Sequence, residues 1–153
     1  MRGRPSRNQD LVLGVLRAAT GQALTAYEIL ARLDAVGMRG PQTVYRALDA
    51  LRQAGLVHRI ESLNAFTACV HDHGTGAHGA KRHGPGPHQG HLHRPAFAVC
   101  RDCGAIQELD DTSLATALGV VADRTGYSVK DRVIELVGAC PTCAKTSQEP
   151  TVG

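Results

Sequence analysis

Apolar residues recur at helical spacing in three successive stretches of the N-terminal third of the chain. This spacing of three or four residues predicts three short amphipathic helices. The second stretch follows Thr25, with Glu28 three residues later, which is the capping-box pattern of a helix N-terminus. Gly21, Gly37 and Gly55 interrupt the pattern and separate the helices. The apolar positions are Val12, Val15, Leu16 and Ala19; Ala26, Ile29, Leu30 and Leu33; and Val44, Ala47, Leu48 and Leu51.

After the third helix the chain changes to short apolar runs that are typical of strands. Residues 56–60 and 65–69 form two such runs, and a polar turn around Ser62 and Asn64 joins them. Three helices followed by a hairpin predict a winged helix-turn-helix. In folds of this kind the helix before the hairpin enters the major groove of DNA.

The second half of the chain predicts a smaller α/β arrangement. We expect strands at residues 97–100 and 105–109, then a helix capped by Asp111 or Thr112 that ends at Gly126. Residues 127–137 return as extended structure, and residues 133–137 are its clearest part. The predicted fold class is therefore α+β. The apolar stripe of the helix consists of Leu114, Ala117, Leu118 and Val121.

Between the two halves lies a segment rich in histidine and glycine. Seven of the eight histidines fall in residues 71–93, and almost no apolar residue accompanies them. Such a composition is typical of a loop or hinge, and its imidazoles can bind metal weakly. We therefore expect a winged-helix DNA-binding domain at 1–70, a hinge loop at 71–93, a dimerisation and metal-binding domain at 94–146 and a flexible tail at 147–153.

Charge and cysteine content narrow the class of protein. The 153 residues carry a net charge of +3 and five cysteines. No run is apolar enough for a membrane span or a secretory signal, so we expect a cytoplasmic protein without a membrane partner. Cysteines in a reducing compartment are metal ligands more often than disulfides.

Two C-x-x-C pairs, Cys100 with Cys103 and Cys140 with Cys143, predict a structural zinc site. Four thiolates favour zinc or an iron–sulfur cluster, and a site closed by four protein ligands leaves no open position for catalysis. We expect a protein that is not an enzyme and has no small-molecule substrate. A redox-active dithiol is the alternative.

The remaining cysteine, Cys69, stands at the junction of the two halves. His58 on the neighbouring strand, His93 at the end of the loop and Glu108 in the second half accompany it. One sulfur, two imidazoles and one carboxylate make a tetrahedral set for a second, regulatory zinc. The alternative is a buried, inert thiol beside a chance grouping of histidines.

The predicted third helix carries polar residues suited to DNA. Its outer face offers Gln42, Thr43, Tyr45, Arg46 and Arg52. Arginine can pair with guanine, and the other side chains can contact a thymine methyl group or phosphates. A solvated face, or a face that binds another protein, is the alternative.

Three segments of the chain resemble the ferric uptake regulator (Fur) superfamily, and most of all its zinc uptake regulator (Zur) branch. They are PQTVYRAL at 41–48, GLVHRIES at 55–62 and FAVCRDCG at 97–104. The resemblance extends from about Asp10 to Cys143, with matching order and spacing. It implies a dimeric, zinc-responsive repressor that binds palindromic operator DNA and controls zinc uptake genes. The iron-type branch carries a histidine–aspartate cluster directly before the first C-x-x-C pair, whereas the residues around Phe97 are apolar here, which argues against iron sensing.

The resemblance also implies roles for individual residues. Cys100, Cys103, Cys140 and Cys143 match structural zinc ligands, whereas His58, Cys69, His93 and Glu108 match regulatory ones, which gives two zinc ions per chain. Tyr45 and Arg46 match the base-reading pair. Because the loop is longer than usual, His91 is an alternative to His93.

Other functions remain open from the sequence. A sensor of iron, nickel, manganese or peroxide from the same superfamily is one alternative. A zinc-buffering protein would use the histidine loop, and a zinc hydrolase would use Glu108 as a base, although no H-E-x-x-H motif is present.

Overall fold

The computed structural model describes residues 5–70, 95–109, 111–129 and 132–146. The chain divides into two compact units. Of the residues that the structure describes, the first contains 5–20 and 24–70, and the second contains 21–23, 95–109, 111–129 and 132–146. Among the described residues, none of the helices combines the length and apolar character that a membrane span requires.

Three helices form the core of the first unit: α1 (Arg7–Ala18), α2 (Ala26–Leu33) and α3 (Pro41–Gln53). The predicted apolar positions lie inside, except that Val15 and Leu30 are only partly buried. Ala19 is buried but caps α1 instead of belonging to it. The predicted capping box is present, since Glu28 accepts the backbone N–H of Thr25 at 2.7 Å and the Thr25 hydroxyl accepts the N–H of Glu28.

Two antiparallel strands, β1 (Val57–Ile60) and β2 (Ala65–Ala68), complete the first unit as the predicted wing. A short 3-10 turn (Glu61–Leu63) joins them, and Asn64 follows it with a left-handed backbone. Phe66, near the start of β2, also pairs with Leu24, which precedes α2. These contacts place the wing directly after α3, which is the winged helix-turn-helix arrangement that the sequence predicted.

The second unit contains a three-stranded sheet in the order β4–β3–β5. Strand β3 (Ala96–Cys100) is central, antiparallel to β4 (Ile106–Leu109) and parallel to β5 (Glu135–Gly138). Helix α4 (Thr112–Thr125) connects β4 to β5, with Asp111 as its cap and Gly126 at its end. Gln22 extends this unit by pairing with Ala105.

Three features of the second unit differ from the sequence prediction. Residues 127–129 and 132–134 are irregular, so that within the described part of the expected extended segment only residues 135–137 form a strand, which continues to Gly138. A short helix, α5 (Pro141–Thr146), begins directly after Cys140 and contains Cys143, and it was not predicted. No residue of α4 is buried, because the apolar stripe of that helix is not fully covered by the described residues.

Candidate metal centre and nucleic-acid interface

The two cysteine pairs meet because β3 and β5 are parallel neighbours. Cys100, the last residue of β3, lies opposite Gly138, the last residue of β5. Cys140 follows Gly138 by two residues, and its backbone N–H donates to the Sγ atom of Cys100 at 3.2 Å. The ends of two adjacent strands therefore bring one cysteine of each pair together.

Tight turns bring the second cysteine of each pair to the same place. After β3 the chain folds back, with the Gly104 N–H donating to the Cys100 carbonyl at 3.1 Å. Gly104 has a φ of 71°, which a glycine adopts without steric cost. On the other side, the first turn of α5 carries Cys143, whose N–H donates to the Sγ atom of Cys140 at 3.5 Å.

The four sulfur atoms have the spacing that zinc needs. All four Sγ atoms lie within 4.8 Å of one another, and those of Cys103 and Cys140 are 3.8 Å apart. A tetrahedral site with zinc–sulfur bonds of about 2.3 Å places its sulfur atoms about 3.8 Å apart. The cluster of Cys100, Cys103, Cys140 and Cys143 therefore fits a structural zinc ion, as the sequence predicted.

The electrostatics of the cluster agree with a cation site. The backbone N–H of Cys103, followed by that of Cys140, lowers the pKa of Cys100 to about 6. The pKa of Cys143 is instead raised, chiefly by its hydrogen bond with the Cys140 side chain. Opposite shifts arise where neighbouring thiols cannot all ionise together. A divalent cation would stabilise all four thiolates at once.

Two of the four predicted regulatory ligands lie on one face of the wing. His58 lies opposite Thr67 in the β1–β2 ladder, and the N–H of Cys69 donates to the carbonyl of Leu56 at 2.9 Å. Side chains alternate between faces along a strand, so His58 and Cys69 share a face as diagonal neighbours. Both residues are half-buried.

The other two predicted regulatory ligands belong to different parts of the chain. Glu108 lies in β4 of the second unit, opposite Phe97, and is half-buried. His93 and its alternative, His91, lie outside the described residues. The complete four-residue set therefore stays a prediction.

Helix α3 presents a polar face to solvent. Gln42, Arg46 and Arg52 are exposed, and Tyr45 keeps 39% of its surface accessible. Pro41 begins the helix after Gly40, whose backbone φ of 86° turns the chain into it. The exposed face therefore offers donors and an aromatic ring directly before the wing.

Thr43 differs from the other predicted DNA contacts. It is half-buried, and its hydroxyl donates to the Arg39 carbonyl at 3.5 Å, which places it at the margin of the exposed face. Conversely, Asp49 was not among the predicted DNA contacts, although it lies on the same helix. Its position three residues after Arg46 is the pattern that places it on the same face.

Comparisons with known proteins identify the family. No protein-family model matches the chain. The zinc uptake regulation protein of Escherichia coli is 32% identical over 137 residues, which are 87% of this chain and 70% of that protein. The chain belongs to the ferric uptake regulator superfamily. The ferric uptake regulation protein of Legionella pneumophila, in the same superfamily, is 29% identical over 86% of this chain and 85% of its own length.

Solved structures from the ferric uptake regulator superfamily have the same fold. The holo form of XcZur is 30% identical with a TM-score of 0.74, over 95% of this chain and 89% of that one. A zinc uptake regulator complexed with zinc and DNA is 28% identical with a TM-score of 0.75, over 94% of this chain and 85% of that one.

Proposed function

We propose that this protein is a zinc-responsive transcriptional repressor that binds palindromic operators as a homodimer and controls zinc uptake genes. The observation that carries this proposal is the similarity to the regulator solved with both zinc and DNA, which covers 94% of the chain. On this proposal the protein acts in the cytoplasm and is not an enzyme.

DNA recognition uses the exposed face of α3. Arg46 pairs with a guanine edge, and Tyr45 contacts a thymine methyl group or a phosphate. Gln42, Arg52 and the marginal Thr43 position the helix against the backbone. The exposure of Arg46 and Tyr45 on the helix that precedes the wing supports this assignment.

Dimerisation uses the second unit. Seven of its large apolar side chains are exposed, which is costly in water and typical of an interaction surface. In a homodimer the same patch on each copy meets its counterpart, so two reading helices face two symmetric half-sites. The exposed side chains are Val120, Val121, Tyr127, Val129, Val133, Leu136 and Val137.

Two zinc ions bind each chain. The four-cysteine cluster holds the structural ion, and its closed coordination leaves no position for catalysis. The regulatory ion takes His58, Cys69, His93 and Glu108, with His91 as the alternative to His93. The shared face of His58 and Cys69 supports two members of this set.

The regulatory ion would make DNA affinity depend on zinc, because its binding restricts the arrangement of the two units. Its proposed ligands come from both units, so bound zinc favours one interdomain angle over others. Suppose that most molecules without zinc are unable to bind DNA and most molecules with zinc are able to. Zinc must then bind the DNA-binding arrangement more favourably than the others by about 5.5 kcal/mol. Transition-metal sites supply energies of this size.

A sensor of another metal, or of peroxide, is the second candidate. The 29% identity to a ferric uptake regulation protein favours it, because members of one superfamily share a fold while the sensed species differs. A thiolate ligand such as Cys69 favours zinc over manganese.

The test measures metal content and DNA binding on one purified sample while zinc is set by a buffered chelator. The DNA consists of duplexes that the zinc-loaded protein selects from a random library. We expect two zinc ions per chain, with the weaker one controlling DNA affinity. Cys69→Ser should lose the weaker ion and zinc-dependent binding, while Arg46→Ala should keep both ions and lose binding.

Two results would contradict these assignments. One tightly held zinc, with DNA binding indifferent to a second, would remove the regulatory role of Cys69 and its partners. Selective DNA binding that requires iron, with zinc inactive, would favour the second candidate.

A further inference from the structure

Helix α3 carries a single acidic side chain on the face proposed to contact DNA. Asp49 follows Tyr45 by four residues and Arg46 by three, so it lies on the same side one turn further along the helix. Its side chain is 67% exposed. The carboxylate therefore stands beside the two proposed base-reading residues.

The Asp49 carboxylate contributes little to the stability of the fold. It forms an ion pair with Arg52, whose Nη1 atom lies 4.0 Å from the Asp49 Oδ1 atom, and the Arg52 side chain is 42% exposed. Exposed pairs of this type contribute little to stability. Asp49 also lies outside the buried residues of α3.

On a helix inside a major groove, a carboxylate has a strong effect on DNA binding. The phosphates on both sides repel it, which weakens binding to every sequence. A cytosine offsets this repulsion, because its N4 amino group donates to an aspartate. Asp49 thus weakens binding to most DNA sequences and strengthens binding to those with a suitably placed cytosine. Specific binding often combines both effects.

Helix geometry indicates which base pair is read. Three residues at a rise of 1.5 Å separate Arg46 and Asp49 by about 4.5 Å along the axis. This is close to the spacing of about 3.4 Å between successive base pairs. With α3 lying along the groove, a base contacted by Asp49 would therefore belong to a base pair next to the one that Arg46 contacts.

We propose that Asp49 is a specificity-determining residue that accepts a hydrogen bond from a cytosine N4 amino group next to the base pair read by Arg46. This inference rests on the proposed function of α3. Asp49 lowers affinity for duplexes without that cytosine, and Arg52 partly neutralises its charge in the free protein.

The experiment selects duplexes from a random library with the zinc-loaded full-length protein. It then measures Kd for duplex pairs that differ only at the selected cytosine. Wild-type protein should prefer cytosine at one position of each half-site by about 5- to 100-fold. Asp49→Ala should lose this preference and bind non-selected duplex more tightly. Asp49→Asn should shift it towards adenine, which asparagine pairs with.

Asp10→Asn is the matched control, because Asp10 is an exposed aspartate on α1 of the same unit. It should change overall affinity but not the preferred base. An unchanged base preference in Asp49→Ala would overturn the inference while leaving the proposed function in place. Wild-type protein that selects no sequence at any zinc concentration would overturn the proposed function, and this inference with it.

Discussion

At the scale of single residues, the four-cysteine cluster depends on each of its sulfur atoms. Removing the Cys103 thiol leaves three thiolate ligands, so the ion is bound more weakly. Because the free energy of metal binding stabilises the fold, the second unit also becomes less stable. We expect Cys103→Ser to lose its structural zinc and to unfold or monomerise the second unit. Zinc content per chain and circular dichroism on heating measure both effects.

Cys69→Ser is the matched control for this prediction, since it also replaces one thiol by a hydroxyl. It should retain the structural zinc and the dimer. A Cys103→Ser protein that remains a stable dimer without bound metal would contradict a structural role for the cluster.

At the scale of elements, the capping box at the start of α2 makes a testable contribution to stability. Thr25→Ala removes the oxygen that accepts the Glu28 N–H, and such losses cost about 1 kcal/mol. We expect urea denaturation to show this decrease in the free energy of unfolding. Thr20→Ala is the matched control and should cost less, because the Thr20 hydroxyl donates only to the Arg17 carbonyl at the end of α1.

Glu28 gives the same capping box a dependence on pH. The backbone N–H of Thr25, and then its hydroxyl, lower the Glu28 pKa. A lowered pKa in the folded state adds stability above the ordinary value of 4.5, and this is lost as pH falls through the folded pKa. The stability difference between wild type and Glu28→Ala should therefore shrink below pH 4.5. A stability difference that stayed constant in acid would contradict this prediction. Loss of zinc at low pH destabilises both proteins equally, so it does not affect the difference.

The helices and strands differ in how well the sequence predicted them. Helices α1 to α3 and α4 followed from apolar spacing and from caps such as Thr25 and Asp111, because those interactions are local. Helix α5 has no apolar period, and its first turn is fixed by the cysteine cluster, with the Ala144 N–H donating to the Cys140 carbonyl at 2.8 Å. The length of β5 depends on pairing with β3, which lies far away in sequence.

The same distinction applies to the candidate sites. The C-x-x-C spacing predicted the zinc cluster because two short pairs already contain its ligands. The shared face of His58 and Cys69 needed the strand register, which a sequence pattern specifies only in part. The marginal position of Thr43 depends on how α3 packs.

At the scale of the whole molecule, the proposed dimer should determine how tightly operator DNA is bound. Leu136 is 60% exposed on β5, an edge strand, beside other exposed apolar side chains. A charge placed in that surface opposes its burial against a second copy. We expect Leu136→Glu to shift the protein from dimer to monomer in sedimentation equilibrium while it retains structural zinc.

A monomer carries one reading helix, so it can occupy only one half of a palindromic operator at a time. Joining two binding modules raises affinity by about 10²- to 10⁴-fold over one alone, and Leu136→Glu should weaken operator binding by a factor in that range. Val36→Glu, which places the same charge at a 48% exposed valine of the first unit, should remain dimeric. A dimeric Leu136→Glu protein would exclude β5 from the interface. A monomeric one with full affinity would instead show that each half-site is bound independently, because the operator would then gain nothing from linking the two helices.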